Sequence, residues 1–309
     1  MAFELQEEEL VLTDTQFRMF QQMFRDCCGL YFGDDSRFLL EKRVARRVRE
    51  LDLGSFSAYH YLLRKDTSGD QELATIIDQL TTNETYFFRE RGQLRALVEE
   101  ILPEVRHRRR STPVSIWSAG CSSGEEPYSI VMMAQEAGFE PGRDFRVYAS
   151  DISGRMLQKA RGGVYRPASF RETQPLVQKR YFSEREGQWK ISDEIKRHVV
   201  FTRVNLLERS RISLLGTMDV ILCRNVIIYF DLETKKEVIG TFAEKLHSGG
   251  YLLLGHSESL INVSSAFQLR HLKNDLVYRK PLPGEEVPDV WDSAARAAIA
   301  RVEEEEGAL

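Results

Sequence analysis

The residues best suited to chemistry in this chain sit in one short stretch, Gly120-Cys-Ser-Ser-Gly124-Glu125-Glu126-Pro127. It follows a short apolar run, Val114-Ser-Ile-Trp-Ser118, and precedes a helical pattern carrying Tyr128, Ile130, Val131 and Met132. That order predicts a loop at the carboxyl end of a strand, where open α/β sheets bind ligands. Glycines at both ends let the backbone turn sharply and approach a ligand closely. A phosphate-cradling Walker loop needs Gly-Lys-Ser/Thr, and there is no lysine here. A dinucleotide fingerprint needs G-x-G-x-x-G, whereas these glycines are spaced G-x-x-x-G. Glu125 and Glu126 fall in the first helical turn, where carboxylates suit the helix dipole but repel a diphosphate. The expected ligand is nucleoside-like and not anionic at that spot. S-adenosylmethionine fits, having an ammonium, a sulfonium and no phosphate.

Four further segments carry polar groups in telling places. Asp151 ends the next strand, Phe145-Arg-Val-Tyr-Ala-Ser150. An acid there can accept both hydroxyls of a ribose, or it can cap the helix that follows. Cys223-Arg224-Asn225-Val-Ile-Ile-Tyr229-Phe-Asp231 places an Arg-Asn pair inside an apolar run. Such groups are costly unless they stand at a strand end with partners, so a ligand-facing strand end is the simplest account, with Asp231 as a helix cap. Thr81-Thr-Asn83-Glu-Thr85-Tyr-Phe-Phe-Arg89-Glu90 lies at the junction of two halves of the chain, a common ligand position, although it also reads as a capped helix start. A helix over about 37–49 carries Arg37, Lys42, Arg43, Arg46, Arg47 and Arg49. This reads as a solvated face or as a docking surface for an acidic partner. No aromatic residues interleave with these charges, which disfavours single-stranded nucleic acid. Arg106-His-Arg-Arg-Arg110 reads as a surface turn, and the isolated His256 as structural.

Composition sets outer bounds. The 309 residues include 43 basic and 47 acidic side chains, for a net charge of −4, so this is not a globally basic coat protein. The 17 Phe and 11 Tyr can build a core, which excludes a disordered polymer. No run approaches the roughly 18 apolar residues of a membrane span. The first residues, Met1-Ala-Phe-Glu-Leu-Gln-Glu-Glu-Glu-Leu10, are acidic, unlike a secretory signal. Cys27, Cys28, Cys121 and Cys223 form no C-x-x-C pair, and the six histidines show no metal-ligand spacing. The expectation is a cytoplasmic protein with no metal and no disulfide framework.

The elements that must position these residues fall into two classes. Residues 1–80 read as all-helical. Thr13 or Asp14 caps a helix with Phe17, Phe20 and Phe24 on one face, stopped by Gly29, and a second helix aligns Leu40, Val44, Val48 and Leu51. Residues 81–112 read as a linker that includes a helix. Over 113–280, strands alternate with helices, as in a parallel sheet covered on both faces. In this part a helix over 231–247 stops at Gly249-Gly250, and Tyr251–Leu254 is the next strand. Phe267–Leu272 and Leu276–Arg279 form a closing antiparallel hairpin. Residues 161–203, with a strand at Val199–Thr202, read as a small insertion with strands of its own. Residues 281–309 read as a tail, with a short helix from Asp292 and an acid run Glu303–Glu306.

These motifs together resemble the chemotaxis-receptor glutamate O-methyltransferases of the CheR type. The resemblance rests on Thr82-Asn-Glu-Thr-Tyr-Phe-Phe-Arg-Glu90, Ile116-Trp-Ser-Ala-Gly-Cys-Ser-Ser-Gly-Glu-Glu-Pro-Tyr-Ser129, Ala149-Ser-Asp-Ile152, Val204-Asn-Leu-Leu-Glu208, Ile221-Leu-Cys-Arg-Asn-Val-Ile-Ile-Tyr-Phe-Asp231 and Gly255-His-Ser-Glu-Ser259. It implies an α/β protein in which an all-helical N-terminal domain precedes a Rossmann-like S-adenosylmethionine methyltransferase domain with a small inserted antiparallel β subdomain. The implied activity is methylation of chemoreceptor glutamates to γ-glutamyl methyl esters for sensory adaptation, without a metal. The implied cofactor contacts are Asn83, Thr85, Arg89, Glu126, Asp151, Asn205, Leu206, Arg224 and Asn225. Among them Asp151 would hold the ribose, Asn205-Leu206 would flank the adenine, and Asn83, Thr85 and Glu126 would line the methionine end. Arg89 and Tyr229 would face the reacting carboxylate. The basic helix, through Arg43, Arg46, Arg47 and Arg49, would dock on the receptor's acidic methylation helices. Some members grip a receptor C-terminal peptide with the β subdomain. Here the segment between Tyr181-Phe182 and Val199 is shorter, resembling the tether-independent type. A nicotinamide dehydrogenase is disfavoured by the glycine spacing, and a base-nitrogen methyltransferase by the absence of Asn-Pro-Pro-Tyr where Arg224-Asn-Val-Ile stands. A non-catalytic nucleoside sensor is the remaining alternative.

Overall fold

The computed structural model describes residues 10–65 and 67–285; the expected helix from Asp292 and the acid run Glu303–Glu306 lie outside them. The chain opens with α1 (Asp14–Cys28), α2 (Arg37–Glu50), α3 (Phe56–Leu63) and α4 (Thr67–Leu80). Thr13 caps α1 in a reciprocal capping box with Gln16, and Gly29, in the left-handed region at φ 78°, ends it. The helical periodicity of Phe17, Phe20, Phe24, Leu40, Val44 and Val48 becomes one buried core, closed by Phe56 and Tyr59. One charged group lies inside this packing. Glu72 accepts from Arg47 Nε at 2.8 Å, from Arg47 Nη2 at 2.5 Å and from the Tyr59 hydroxyl at 2.7 Å. Burial and that carboxylate push the Tyr59 hydroxyl's pKa up.

Beyond α4 the backbone runs without regular structure to a turn at Phe87–Glu90. It then enters α5 (Arg91–Arg95), a π-helical stretch over Ala96–Ile101, and α6 (Leu102–Arg109). The basic run at 106–110 is therefore the last turn of a helix and not a surface turn. Arg106 pairs with Asp144 at 3.1 Å, and Arg108 donates to the Gly249 carbonyl at 2.8 Å.

The second half alternates β1 (Val114–Ala119), α7 (Glu125–Glu136), β2 (Phe145–Asp151) and α8 (Gly154–Gly162). Next come β3 (Val164–Tyr165), α9 (Pro175–Tyr181), β4 (Phe182–Arg185), β5 (Gln188–Ile191), α10 (Asp193–Lys196) and β6 (Val199–Arg203). The series ends with α11 (Arg209–Ser213), β7 (Met218–Cys223), α12 (Leu232–Lys245), β8 (Leu246–Leu254), β9 (Gln268–His271) and β10 (Leu276–Arg279). Seven strands form one sheet in the order β6-β2-β1-β7-β8-β10-β9, and β3-β5-β4 form a separate antiparallel sheet. The pairs β1–β2, β2–β6, β1–β7 and β7–β8 are parallel, and the β9–β10 hairpin closes the far edge antiparallel. From β1 the chain moves to one side through β2 and β6, then returns to β1's other flank as β7. The crevice at that reversal, between the carboxyl ends of β1 and β7, is where such sheets hold ligands.

Two expectations are corrected here. The strand at Val199–Thr202 does not belong to the insertion; as β6 it extends the parallel sheet beside β2, with Ser150 paired to Thr202. Its Val199 side chain is buried in the same core as Val147 and Val220. The glycine pair 249–250 does not end a helix either: α12 stops at Lys245 and β8 runs through both glycines. Backbone proximity explains their place, since a Cβ on Gly250 would lie 2.8 Å from the His247 carbonyl oxygen and 2.9 Å from that of Asp219.

Replacing Glu72 with Ala leaves the buried Tyr59 hydroxyl without its acceptor and half-buried Arg47 with Glu50 alone. It is expected to destabilise the helical half by about 3 kcal/mol, read as a lower denaturant midpoint in urea unfolding followed by circular dichroism.

Candidate active site

The crevice at the sheet reversal opens into a cleft of about 1030 Å³, its mouth included. The end of β1 supplies Gly120, Cys121 and Ser122, α7 supplies Glu126, and β2 supplies Asp151. Residues 204–206 follow β6, and Arg224, Asn225, Val226, Tyr229 and Phe230 follow β7. The helical half closes the cleft with Cys28 and Leu30 and with the strap Thr81–Thr85 and Arg89. All ten residues expected from sequence at the cofactor or the acceptor thus line one cleft: Asn83, Thr85, Arg89, Glu126, Asp151, Asn205, Leu206, Arg224, Asn225 and Tyr229.

The two glutamates of the loop part company. Glu126 faces the cleft, accepting from Ser118 Oγ at 2.7 Å and pairing with Arg224 at 2.9 Å. Glu125 turns away and is buried, accepting from Ser123 Oγ at 2.8 Å and Ser169 Oγ at 3.2 Å, and burial raises its pKa. Of the two acids expected to repel a diphosphate, only Glu126 is placed to do so.

Asp151 is held by its own backbone surroundings. Its carboxylate accepts from the Ser122 and Ser153 amides, each at 2.8 Å. Ser153, not Asp151, caps α8 by accepting from the Met156 amide. Burial raises the Asp151 pKa, and the two amides oppose that shift. Asp231 plays the plain structural part, capping α12 through the Thr234 amide and pairing with Arg25 at 2.8 Å.

Arg224 is the cation at the centre. Its side chain is 2% exposed and pairs with Glu126 and with Glu90 at 3.1 Å, and it donates to the Arg89 carbonyl at 2.6 Å. Arg89 donates to the Glu84 carbonyl at 2.7 Å and lies over the Tyr86 ring, 5.7 Å from its centroid. Asn205 Nδ2 donates to the Cys27 carbonyl at 2.7 Å, and the Tyr31 amide donates to the Tyr229 carbonyl at 2.9 Å; both tie the helical half to the sheet. Several non-glycine residues around the cleft are left-handed: Phe88 at φ 62°, Glu90 at 50°, Ser122 at 49° and Asn225 at 59°. Such conformations cost free energy and collect where geometry serves function. His256 is away from this cleft, exposed and 3.0 Å from Asp275.

The basic helix is less free than its composition suggests. Arg47 is turned inward to Glu72, which withdraws it from the expected docking face. Arg43 donates to the Leu80 carbonyl, Arg46 to Gln79 at 2.6 Å, and Arg37 to Asp14 at 2.5 Å. Among the described residues, the Lys42 and Arg49 side chains make no hydrogen bond or ion pair, and both residues are exposed. Sequence reasoning did not foresee Cys28 or Leu30 in the cleft wall, whereas Ser122 and Phe230 belong to segments expected to face the ligand. Cys28 ends α1 and Leu30 follows it, more than fifty residues before the first ligand motif at Thr81–Glu90, and this helix end has no ligand signal of its own.

A doubly wound sheet with a glycine loop, an acid at the end of its second strand and, among the described residues, no lysine along the cleft is the arrangement expected of an S-adenosylmethionine-dependent methyltransferase. Residues 83–275 match the family model described as CheR methyltransferase, SAM binding domain, and residues 15–81 the model described as CheR methyltransferase, all-alpha domain. The chain is 41% identical over 278 residues to chemotaxis protein methyltransferase 2 of Vibrio cholerae, covering 89% of this chain and 96% of that protein. It is 38% identical over 268 residues to the chemotaxis protein methyltransferase of Escherichia coli, covering 85% of this chain and 91% of that one. The chain belongs to the CheR methyltransferase family.

The cleft fits such a nucleoside. Two buried polar atoms in its wall, Ser122 Oγ and Arg224 Nε, have no protein partner and can bond a ligand. A Cβ on Gly120 would fall 2.4 Å from Val226 Cγ2, so only glycine leaves this loop room beside the opposite wall. Asp151→Ala is expected to weaken S-adenosylhomocysteine binding about tenfold or more with the fold retained. Titration calorimetry giving wild-type affinity would remove Asp151 from the ribose position.

Proposed function

We propose that this protein transfers a methyl group from S-adenosylmethionine to glutamate side chains of chemoreceptors, forming γ-glutamyl methyl esters in sensory adaptation. The relatives named above supply the chemotactic context. The observation that carries the choice of acceptor is the kind of side chain that surrounds the reaction space. Among the described residues, no histidine or lysine lines the cleft. The thiols that do line it are held protonated: burial pushes Cys28 up to about 12 and Cys121 well above its ordinary value. The carboxylates that line it are engaged, Glu84 with Arg171, Glu126 with Arg224 and Asp151 with the Ser122 and Ser153 amides, so the site offers no free general base and suits an acceptor that is already a nucleophile. A glutamate side chain, with a pKa of about 4.3, is such an acceptor at neutral pH.

In this reading Asp151 accepts the ribose hydroxyls. Asn205 and Leu206 flank the adenine, and Asn83, Thr85, Glu126, Arg224 and Asn225 surround the methionine end. The bound nucleoside supplies an electrophilic methyl group on a sulfonium. Arg89 orients the acceptor carboxylate, with its guanidinium steadied by the Glu84 carbonyl and the Tyr86 ring. Tyr229, from the loop after β7, limits the directions from which that carboxylate enters. The main task is alignment, since correct placement alone is worth several powers of ten in rate. An unduly tight Arg89–carboxylate pair would stabilise the ground state, so an arginine shared with a carbonyl suits the task. Opposite charges cancel as the methyl moves, which favours a site that excludes water.

The partner is an acidic helical bundle docking on the exposed positive charges of α2, led by Lys42, Arg46 and Arg49, without nucleic acid. The short β4–β5 hairpin, four residues in each strand, belongs to a receptor-tether-independent enzyme. The enzyme acts in the cytoplasm and uses no metal. No helix among the described residues is long and apolar enough to cross a membrane.

Base-labile incorporation of a tritiated methyl group into a receptor's cytoplasmic fragment tests the activity. Arg89→Ala is expected to lower it by about 10²-fold with an unchanged circular dichroism spectrum; undiminished turnover would remove Arg89 from the acceptor. Lys42→Glu combined with Arg49→Glu is expected to raise KM for the receptor fragment and leave S-adenosylhomocysteine affinity unaltered, as calorimetry on the same sample would show.

A further inference from the structure

The wall of the cleft that follows β7 is held from outside by one side chain that does not line the cleft. Glu258, half-buried beyond the end of β8, directs both carboxylate oxygens at backbone amides. Oε2 accepts from Asn225 at 2.8 Å and from Gly255 at 2.6 Å. Oε1 accepts from Val226 at 2.9 Å and from Ile228 at 3.2 Å. Three of these amides belong to the loop that presents Arg224, Asn225 and Tyr229; the fourth belongs to the end of the neighbouring strand.

The loop needs such a holder. It leaves β7 with Asn225 left-handed at φ 59°, and only a short 3₁₀ turn over Ile227–Tyr229 separates it from α12. Its amides point away from the sheet's ladders and have no strand partner. The loop also crowds its neighbours. A Cβ on Gly255 would lie 2.6 Å from Asn225 Nδ2, and one on Gly120 would meet Val226. A sideways shift is thus blocked by Gly120 on one side and Gly255 on the other, and the carboxylate fixes the remaining freedom. Ionised carboxylates are strong acceptors for backbone amides, and one that collects several at once sets their mutual geometry. Burial raises the pKa of Glu258 and the four amides oppose the shift.

We propose that Glu258 is a positioning residue for methyl transfer. By gathering the amides of Asn225, Val226, Ile228 and Gly255 onto one carboxylate, it sets the cleft wall that carries Asn225 and Tyr229. The inference rests on the reading of this cleft as the cofactor site. Glu258 touches neither cofactor nor acceptor; it acts through the loop.

The test uses the full chain with Glu258→Gln, which keeps the shape but offers an amide nitrogen where two N–H groups need an acceptor. Glu258→Asp, which keeps the charge on a shorter arm, is measured beside it. S-adenosylhomocysteine affinity by calorimetry, kcat and KM for methylation, and the melting temperature are read on the same samples. The expected result for Glu258→Gln is about a tenfold or greater loss of affinity together with a lower kcat, with Glu258→Asp falling between it and wild type. A lowered melting temperature with wild-type affinity and kcat in the folded protein would overturn the inference, because that is how a purely structural residue behaves. If Glu258→Gln does not fold, the affinity and kcat of Glu258→Asp decide by the same criterion. If neither folds, the residue is a folding determinant and the inference fails. Wild-type protein that does not bind S-adenosylhomocysteine at all would instead refute the reading of the cleft.

Discussion

The structure turns on one buried cation. Arg224 stands at the carboxyl end of the strand after the topological reversal, almost wholly out of water, between Glu126 and Glu90. Those two acids come from different parts of the chain, one from the first turn of α7 and one from the strap that joins the two halves. Taking a guanidinium and two carboxylates out of water is costly unless geometry and further hydrogen bonds compensate, and the Arg89 carbonyl supplies one more acceptor. The arrangement fixes where three segments meet, and that meeting point is the floor of the cleft. Because the two carboxylates of Glu126 and Glu90 more than offset the single positive charge of Arg224, a cationic nucleoside is not repelled by the arginine in the cleft wall.

The same constraint accounts for the strain nearby. Phe88 and Glu90 flank Arg89 in left-handed conformations, and Asn225 follows Arg224 in another. Each turn points a backbone group at the cluster that a relaxed chain would point elsewhere: the Arg89 carbonyl toward Arg224, the Phe88 amide toward Ser129 Oγ at 2.9 Å, the Asn225 amide toward Glu258. Ser129 in turn donates to the Glu125 carbonyl at 2.7 Å, which relates the strap directly to the helix behind the glycine loop. The site is assembled from irregular backbone braced by regular elements, the usual division between scaffold and function.

What could be read from the residues follows from the range over which each signal acts. The α1 cap at Thr13, the stop at Gly29 and the apolar period of α2 are local, and they appear where the sequence places them. The glycine loop and Asp151 are local too, and a fold class is enough to bring them together. The β6 edge was assigned to the insertion because Val199–Thr202 has no local mark that tells a parallel edge strand from a hairpin strand; only pairing with β2 decides it. The helix 37–49 shows the opposite failure. Its six basic residues were visible, but whether a charge faces water depends on distant acids, and Glu72 lies far along the chain from Arg47. Glu258 and Glu90 were inside quoted motifs, yet nothing in their spacing announces that one collects four amides and the other an arginine.

The helical half is more than an appendage for docking. Cys28 and Leu30 line the cleft, the Cys27 carbonyl holds Asn205, and the Tyr31 amide holds the Tyr229 carbonyl. The segment between α1 and α2 is thus part of the site wall, and α2 begins only a few residues later with Lys42 and Arg49 exposed. A partner bound on α2, as proposed, would rest on an element whose preceding loop is bonded to Tyr229, the residue proposed to face the acceptor. In that reading, a connection of this kind would let a docking contact be felt as orientation at the proposed acceptor carboxylate, where alignment would govern the rate. A flexible tether would give local concentration without that orientation, so the close union of the two halves accords with the proposed docking on α2.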